Sequence, residues 1–233
     1  MGQQAYRAAV LADGPRAYYD CQDLSGLLQD TSGNGLHMTS SSGSPVYRRP
    51  GPDQMDGAYS IKMDGASFSR SQITGNTDFI TFEFWYRPSP LDASNHTLVG
   101  NNNGGTNGYQ LITPSSGHFA WVLQGLSILS SNSTLMTVGA SYYIVATRNT
   151  TWRYYINANF DGAPAATDPI APSGGTTSIN GNANGTYEIS NFAFYLSELS
   201  AAQVTAHYAA AQTPESSGYP ISMPPHIGGF GAC

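Results

Sequence analysis

The chain has 233 residues, of which only 10% are charged, and it includes 26 Gly and 15 Tyr. Globular domains usually carry about 25% charged residues, so this composition is typical of a turn-rich β protein and too aromatic for a disordered chain. The formal net charge of −6 argues against nucleic acid as a ligand, and the absence of any apolar run near ~20 residues argues against membrane insertion.

The first twenty residues predict short strands. Ala8–Leu11 and Arg16–Asp20 are apolar segments separated by a turn signal, Asp-Gly-Pro, at residues 13–15. The start lacks a basic segment followed by an apolar core, so export through a secretory signal peptide is not expected. Residues 39–57 are rich in Ser, Gly and Pro and predict a loop.

The strongest strand pattern lies at Phe79–Pro88. Strict alternation places Phe82 and Phe84 on one face and Glu83 and Trp85 on the other. We therefore expect one face of this strand to line the core.

Further strands flank this one. Residues 58–63 and 66–70 alternate like a hairpin around an Asp-Gly turn, and residues 141–148 and 152–156 form a second pair. Residues 100–108 are rich in Asn and Gly and predict a flexible tip.

The stretch Thr186–Ala211 predicts a strand, a tight turn and the one short helix expected in the chain. Ser200 is a good N-cap with Gln203 three residues later, which indicates a capping box. Pro214 follows the helix end. A strand–helix unit after a series of strands is expected to close the fold by pairing with the N-terminal strands.

The spacing of the strands predicts the fold class. With no internal repeat and no clear linker, the chain is expected to form an all-β, two-sheet antiparallel jelly-roll sandwich with one short helix near its C-terminal side. The sandwich spans residues 1–213. Residues 214–233, rich in Pro and Gly, are expected to form an extended tail that could dock onto a partner.

Three segments occur in a characteristic order. Residues 8–35 end in Asp-Thr-Ser-Gly-Asn-Gly, residues 81–88 carry a central Trp and a closing Arg-Pro, and residues 142–208 begin with Tyr-Tyr-Ile-Val-Ala-Thr-Arg. In this order they resemble the laminin-G-like or concanavalin A-like lectin/glucanase domain family. Where that family often has an acidic pair in the last strand, this chain has Ser190 and Asn191, which weakens any calcium site implied by the resemblance.

Catalysis is not expected. Glucanases of this superfamily use paired carboxylates on one strand face, about 5–5.5 Å apart in retaining enzymes. The chain has four glutamates, and none has a second acid two or four residues away. The glutamates are Glu83, Glu188, Glu198 and Glu215. A paired structural role is therefore expected for Glu83.

No cofactor is expected, with calcium as the one candidate. The five histidines lack ligand spacing, and His207 is expected at the surface or as a helix cap. Calcium could be held by loop oxygen atoms such as those of Asp20, Asp23, Asp30 or Asn34, together with backbone carbonyls. The alternative is that these residues only form turns and caps.

Sugar binding is the remaining candidate chemistry. Proteins hold saccharides with Asn and Asp hydrogen bonds and with an aromatic platform. Loops at residues 95–107 and 176–185 supply Asn and Gly, although such residues also simply form turns. The candidate ligand-binding residues are Asn102, Asn107, Tyr109, Trp121, Trp152 and Tyr187.

The resemblance implies a non-enzymatic, lectin-like surface module of a virus particle, either a phage minor tail protein or a capsid-decoration protein. Its expected partners are other virion subunits and a host surface polysaccharide, and it could form a homo-oligomer. Its expected location is the virion surface, after assembly in the host cytoplasm. Two alternatives stay open: a structural decoration or cementing protein without glycan binding, and a carbohydrate-binding domain of a bacterial surface protein.

Overall fold

The computed structural model describes residues 2–71, 73, 79–89, 96–103, 107–113, 117–123, 128–131, 133–163, 176–180 and 187–214. These residues form sixteen strands and two helices. The helices are α1 (Gly2–Ala12) and α2 (Ala201–Ala211). The strands are β1 (Ala17–Tyr19), β2 (Leu27–Leu28), β3 (Met38–Ser42), β4 (Val46–Pro50), β5 (Tyr59–Met63), β6 (Ser67–Ser71), β7 (Phe79–Pro88), β8 (His96–Asn103), β9 (Asn107–Thr113), β10 (Ala120–Leu123), β11 (Ile128–Ser131), β12 (Tyr142–Asn149), β13 (Thr151–Ile156), β14 (Asn159–Gly162), β15 (Thr176–Asn180) and β16 (Tyr187–Tyr195).

The strands form two antiparallel sheets. Sheet A has the order β14-β13-β12-β7-β16-β5-β4, and β1 pairs with one end of β16. Sheet B has the order β11-β10-β9-β8-β15-β6-β3-β2. The predicted fold class, a two-sheet antiparallel sandwich, is confirmed.

The main core lies between the two sheets. Phe82 and Phe84 of β7 point into it, and Phe84 stacks on Phe192 with ring centroids 4.8 Å apart. From sheet B, Phe68 and Ile179 enter the same core and are fully buried. Burial of this apolar surface is the main stabilising contribution to the sandwich.

The two helices form a third layer on the outer face of sheet A. Tyr6 and Val10 of α1 and Val204 of α2 pack into a second buried cluster with Trp85 and Tyr143 of the sheet. Trp85 belongs to the β7 face opposite Phe82 and Phe84, so the alternation predicted for this strand is confirmed. Within the described part of the chain, neither helix has the length and apolarity needed to cross a bilayer.

The N-terminal strand predicted at Ala8–Leu11 is wrong, because residues 2–12 are helical. Alanine is the best helix former, and Gln3, Tyr6 and Val10 recur at helical spacing on the buried face. The turn predicted at residues 13–15 is confirmed, since Gly14 adopts a φ of 63° just after the helix end.

Two further local predictions are wrong. The strands at residues 59–63 and 67–71 do not form a hairpin, because the turn at Gly65 carries the chain from sheet A to sheet B. Residues 39–57 are not one loop, since they contain β4 and most of β3. Polar residues suit both strands, because edge and outward-facing positions meet water.

The predicted loops of the sugar-binding hypothesis also contain strands. Residues 96–103 form β8, which pairs with β9, and residues 176–180 form β15 in the middle of sheet B. The Asn- and Gly-rich composition therefore marks polar strands here as well as turns.

The closing role predicted for Thr186–Ala211 is confirmed in the residues that the structure describes. β16 lies between β7 and β5, and Ala17, Tyr18 and Tyr19 of β1 pair with its end. The predicted capping box is present: Gln203 donates its backbone N–H to the Ser200 hydroxyl, and its side chain accepts from Ser200 N at 2.9 Å. The tail from residue 215 onward lies outside the described residues.

Candidate functional site

A groove of about 410 Å³ lies where one edge of each sheet meets the other. The groove is lined by Arg48 of β4 and by residues of the loop between β1 and β2, of β2 and of the segment that follows β2, which together are called the loop wall below. β2 ends the described order of sheet B, and β4 ends that of sheet A. Ligand sites usually have volumes of about 300–1,000 Å³, so this groove is large enough to hold a small ligand.

The loop wall is built from short-range hydrogen bonds. Gln22 N donates to Asp20 Oδ1 at 3.2 Å, and Gln29 N donates to Asp23 Oδ2 at 3.2 Å. Between them Cys21 is buried, with a free thiol and a φ of 59°, in a region that non-glycine residues rarely adopt. Strained positions of this kind cluster at functional sites.

Two carboxylates give the loop wall its charge. Burial raises the pKa of Asp20, and the backbone N–H of Gln22 and the charge of Arg7 offset part of that rise. Burial likewise raises the pKa of Asp23, and the nearby charge of Asp20 adds to the rise. Arg7 Nε lies 3.8 Å from Asp20 Oδ2. The wall therefore offers partly desolvated acceptors for hydroxyl donors.

Arg48 lies in a bulge of β4. The pairing of β4 with β5 shifts register between Val46 and Arg49, and Arg48 adopts a φ of 53°. The Arg48 guanidinium lies over the Tyr59 ring, 5.2 Å from its centroid, which is a cation–π contact. Bulges re-aim side chains at sheet edges, and the bulged residue Arg48 is among those that line the groove.

The outer face of sheet B is a second polar surface. A row of cross-strand pairs runs from Thr39 through Ser69, Ser178 and Gly100 to Gln110. Their sequence neighbours, including Phe68, Ile179 and Leu111, point into the core, so this row faces outward. A Cβ at position 100 would lie 3.2 Å from Gln110 Cγ, so glycine keeps this part of the surface shallow.

Three residues predicted to form a sugar-binding platform are core residues instead. Tyr109, Trp152 and Tyr187 are 3%, 0% and 2% exposed and belong to the cluster between the sheets. A buried ring cannot stack on a saccharide, so this part of the prediction is corrected. Their aromatic character reflects β propensity and core packing.

The other three predicted ligand residues lie on sheet B. Asn102, Asn107 and Trp121 are in β8, β9 and β10, and their side chains lie outside the described part of the structure. Their role in binding stays a prediction.

The residues predicted as calcium ligands hold the backbone in place. Asp30 accepts from the N–H groups of Tyr18, Ser32 and Leu36 at 3.0, 2.9 and 2.8 Å, and these bonds lower its pKa although burial opposes them. Asn34 Nδ2 donates to Arg16 O at 3.1 Å. These contacts favour the turn-forming alternative.

Asp20 lines the groove, where it accepts from Gln22 N and lies beside Arg7. Among the residues that the structure describes, three or more His, Cys, Asp or Glu side chains nowhere gather in a way that could hold a metal ion. Calcium binding stays an untested prediction.

His207 was predicted at the surface or as a helix cap, and this prediction is wrong. The residue is 1% exposed and lies between sheet A and the two helices. Its Nδ1 lies 3.0 and 3.1 Å from the two Glu83 carboxylate oxygens, and its Nε2 lies 2.9 Å from Asp13 Oδ2. Both ring nitrogens therefore face carboxylates, which assigns the doubly protonated, charged imidazolium. No local sequence pattern indicated this contact, because Asp13, Glu83 and His207 are far apart in the chain.

Glu83 is the centre of this buried cluster. Its Oε1 accepts from the Tyr6 and Tyr143 hydroxyls at 2.7 and 2.8 Å, and its Oε2 accepts from Tyr195 at 2.8 Å. Burial favours a raised pKa for Glu83, but the hydrogen bond and charge of His207 and the tyrosine hydroxyls outweigh it and lower the pKa. The carboxylate is 0% exposed, so the structural role predicted for Glu83 agrees with its environment.

The groove residues were only partly visible in the sequence. Asp20 was a candidate for calcium, whereas Gln29 and Arg48 carried no signal. Arg48 reaches the groove because of a bulge, and the register shift that makes it depends on pairing with β5. Only the Asp- and Gln-rich composition of residues 20–31 pointed to a polar site.

Comparison with known proteins agrees with the fold. A family model described as the concanavalin A-like lectin/glucanases superfamily matches residues 61–205, more than half of the chain. A search of curated proteins finds no match.

Solved structures with the same fold include clostridial toxin domains. The binding domain of Paraclostridial Mosquitocidal Protein 1 matches with a TM-score of 0.67 and 16% identity, over 85% of this chain and 52% of that one. Botulinum neurotoxin type C matches with a TM-score of 0.68 and 15% identity, over 89% and 53% of the two chains. The chain thus spans about half the length of these structures, and it belongs to the concanavalin A-like lectin/glucanases superfamily.

Proposed function

We propose that this chain is a non-catalytic, glycan-binding module that holds a saccharide in the groove between Arg48 and loop residues 20–31. The groove itself carries the proposal. It combines carboxylate, amide and hydroxyl groups with the exposed apolar side chain of Leu24, which is 68% exposed. Saccharides need this mixture, because their hydroxyls form hydrogen bonds and the faces of their rings are apolar.

The similarity to toxin domains supports the same ligand class. For botulinum neurotoxin type C, the solved structure is described as one in which cell entry depends on interaction with two ganglioside molecules. That property belongs to the toxin, and the likeness at 15% identity concerns the fold. It makes a glycan the first ligand class to test for this chain.

The absence of catalysis is part of the proposal. Glu83, the strand carboxylate that a glucanase-like reaction would need, is enclosed by three tyrosines and His207. A retaining or inverting reaction requires two carboxyl groups that reach the glycosidic bond. The buried position of Glu83 therefore supports binding without hydrolysis.

The finer biological role rests on the family resemblance. We propose a module on the surface of a virus particle that contacts host polysaccharide and neighbouring subunits. A structural decoration protein and the carbohydrate-binding domain of a bacterial surface protein are the alternatives. The groove favours the glycan-binding versions, because it offers a small polar ligand a place to bind.

The test is a glycan-array screen followed by calorimetric titration of the best ligand. Asp23→Asn should weaken binding about tenfold or more, since hydrogen bonds to charged groups contribute about 1.5–3 kcal/mol. Asp64→Asn is the matched control, because Asp64 is an exposed carboxylate paired with Lys62 outside the groove. No binding of any glycan at millimolar concentration would refute the proposal.

A further inference from the structure

We infer that the groove selects saccharides that carry a carboxylate group, and that Arg48 is the residue that binds this carboxylate. The inference rests on the proposed function, because it assumes that a saccharide occupies the groove. It adds a ligand class, acidic sugars of the uronic or sialic type, and a specificity-determining residue.

The first support is the unpaired state of Arg48. The neighbouring Arg49 places its Nε 3.1 Å from Glu188 Oε1, and Arg87 also pairs with Glu188 at 2.8 Å. Arg48 forms no such ion pair with any carboxylate of the described residues. Arg48 is a lining residue of the groove, and its guanidinium, without a carboxylate partner among the described residues, is available for the bidentate pairing that arginine forms with a ligand carboxylate.

The second support is that Arg48 is held in position. Its backbone sits in the bulge of β4 with a φ of 53°, and its guanidinium lies on the Tyr59 ring at 5.2 Å. A side chain positioned before binding loses less conformational entropy when the ligand arrives. An unrestrained surface arginine would lack this advantage.

The third support is the arrangement of charges in the groove, which determines how a bound acidic sugar is oriented. Asp20 and Asp23 repel a carboxylate at the loop wall but accept hydrogen bonds from hydroxyls there. Arg7 already lies beside Asp20, and Arg48 is the cationic residue among those that line the groove. The ligand carboxylate therefore belongs at Arg48 and the sugar hydroxyls at Asp20 and Asp23.

The net charge of the protein does not oppose this selection. The formal charge of −6 is spread over 233 residues, and exposed charges are largely screened beyond ~8 Å at physiological salt. The contact at Arg48 is short-ranged. Binding of the acidic sugar should therefore weaken as salt is added, whereas binding of its neutral counterpart should change little.

The experiment compares matched pairs of sugars by calorimetric titration with the full chain. The pairs are methyl β-D-glucuronide with methyl β-D-glucoside, methyl β-D-galacturonide with methyl β-D-galactoside, and 3′-sialyllactose with lactose. We expect at least one acidic member to bind about tenfold or more tightly than its neutral partner. The first two pairs report uronic acids and the third reports a sialic acid, so the two sources are distinguished.

The key variant is Arg48→Asn, because asparagine tolerates a positive φ better than most residues. It should abolish the difference between acidic and neutral sugars; because Arg48 also lines the groove, neutral binding is expected to weaken as well, but by a smaller factor than acidic binding. Arg48→Lys should restore only part of the difference, since lysine lacks the bidentate geometry. Arg49→Ala is the control, because Arg49 already pairs with Glu188 outside the groove lining. Circular dichroism of each variant checks the fold.

The outcomes separate the two proposals. If neutral and acidic partners bind equally, or if Arg48→Asn keeps the preference, the acidic-sugar inference fails and the glycan-binding function stands. If none of the six sugars and no glycan on an array binds the unmodified chain, the proposed function fails and the inference fails with it.

Discussion

Glu83 connects more parts of this fold than any other described polar residue considered above. Its carboxylate accepts hydrogen bonds from α1 through Tyr6, from β12 through Tyr143 and from β16 through Tyr195, and it faces His207 of α2. A fully buried carboxylate is stable only when its hydrogen bonds and charge are matched. The matched set here ties both helices to sheet A.

Replacement of Glu83 by Gln tests this connection. The variant keeps the size of the side chain but leaves the His207 imidazolium without its buried counter-charge. Breaking a buried pair in this way typically costs about 3–5 kcal/mol, so the free energy of unfolding in urea should fall by about that amount. Glu198→Gln is the control: Glu198 pairs with Arg153 near the surface, where a pair contributes about 1 kcal/mol or less. Equal losses in the two variants would contradict the role assigned to Glu83.

The helices show which elements local sequence can predict. α2 was predicted from Ser200, Gln203 and Pro214, and each acts within a few residues, so no knowledge of the sheets was needed. α1 was missed because Ala8–Leu11 is short, apolar and compatible with either structure. Tertiary packing favours the helix over the strand, because Tyr6 and Val10 then lie on one buried helix face against sheet A.

The candidate site was less predictable than the fold. Aromatic residues such as Trp152 and Tyr187 resemble sugar platforms in composition, but alternation in the strands sends them into the core. The groove depends on where two sheet edges meet, which is a property of strand order. Arg48 depends in addition on a register shift with β5, and neither feature has a local sequence signal.

The capping box of α2 provides a test at the level of the element. Ser200→Ala should lower the free energy of unfolding by about 1 kcal/mol, because the N–H of Gln203 loses its acceptor. Ser200→Gly should cost only a few tenths of that, since glycine exposes the helix end to water. Thr205→Ala removes a hydroxyl from the same helix that bonds Ala201 O and should be neutral or slightly stabilising. Urea denaturation of the three variants gives the comparison, and equal effects would argue against the cap.

The whole molecule has three layers, namely the two helices, sheet A and sheet B, and this arrangement decides which surfaces are covered and which can meet a ligand. The helices cover the outer face of sheet A, and the core fills the space between the sheets. Of the surfaces described above, the groove at the sheet edges and the polar face of sheet B stay open to a ligand. The buried cluster at Glu83 and His207 then holds the covered side together without taking part in binding.

The same cluster predicts how stability depends on pH. Burial would lower the pKa of His207, but the hydrogen bond and charge of Glu83 and the charge of Asp13 raise it above the ordinary value of 6.5. A raised pKa in the folded state gives a stabilisation that is complete below pH 6.5 and is lost as the pH rises through the folded pKa.

The tyrosines that also face Glu83, namely Tyr6, Tyr143 and Tyr195, have an ordinary pKa of 10.0 that burial raises further. Their own contribution to pH dependence therefore falls mainly above pH 9, and His207 is expected to control the change between pH 6 and pH 9. On the acid side, the lowered pKa of Glu83 gives a stabilisation present above its ordinary value of 4.5 and lost as the pH falls.

Because His207 loses its proton on the alkaline side, urea midpoints of the wild type should fall from pH 6 to pH 9. His207→Gln should start lower and stay nearly flat over the same range, because it has no proton to lose there. A parallel decline in both proteins would show that another group controls the alkaline loss, and that His207 is neutral in the folded protein.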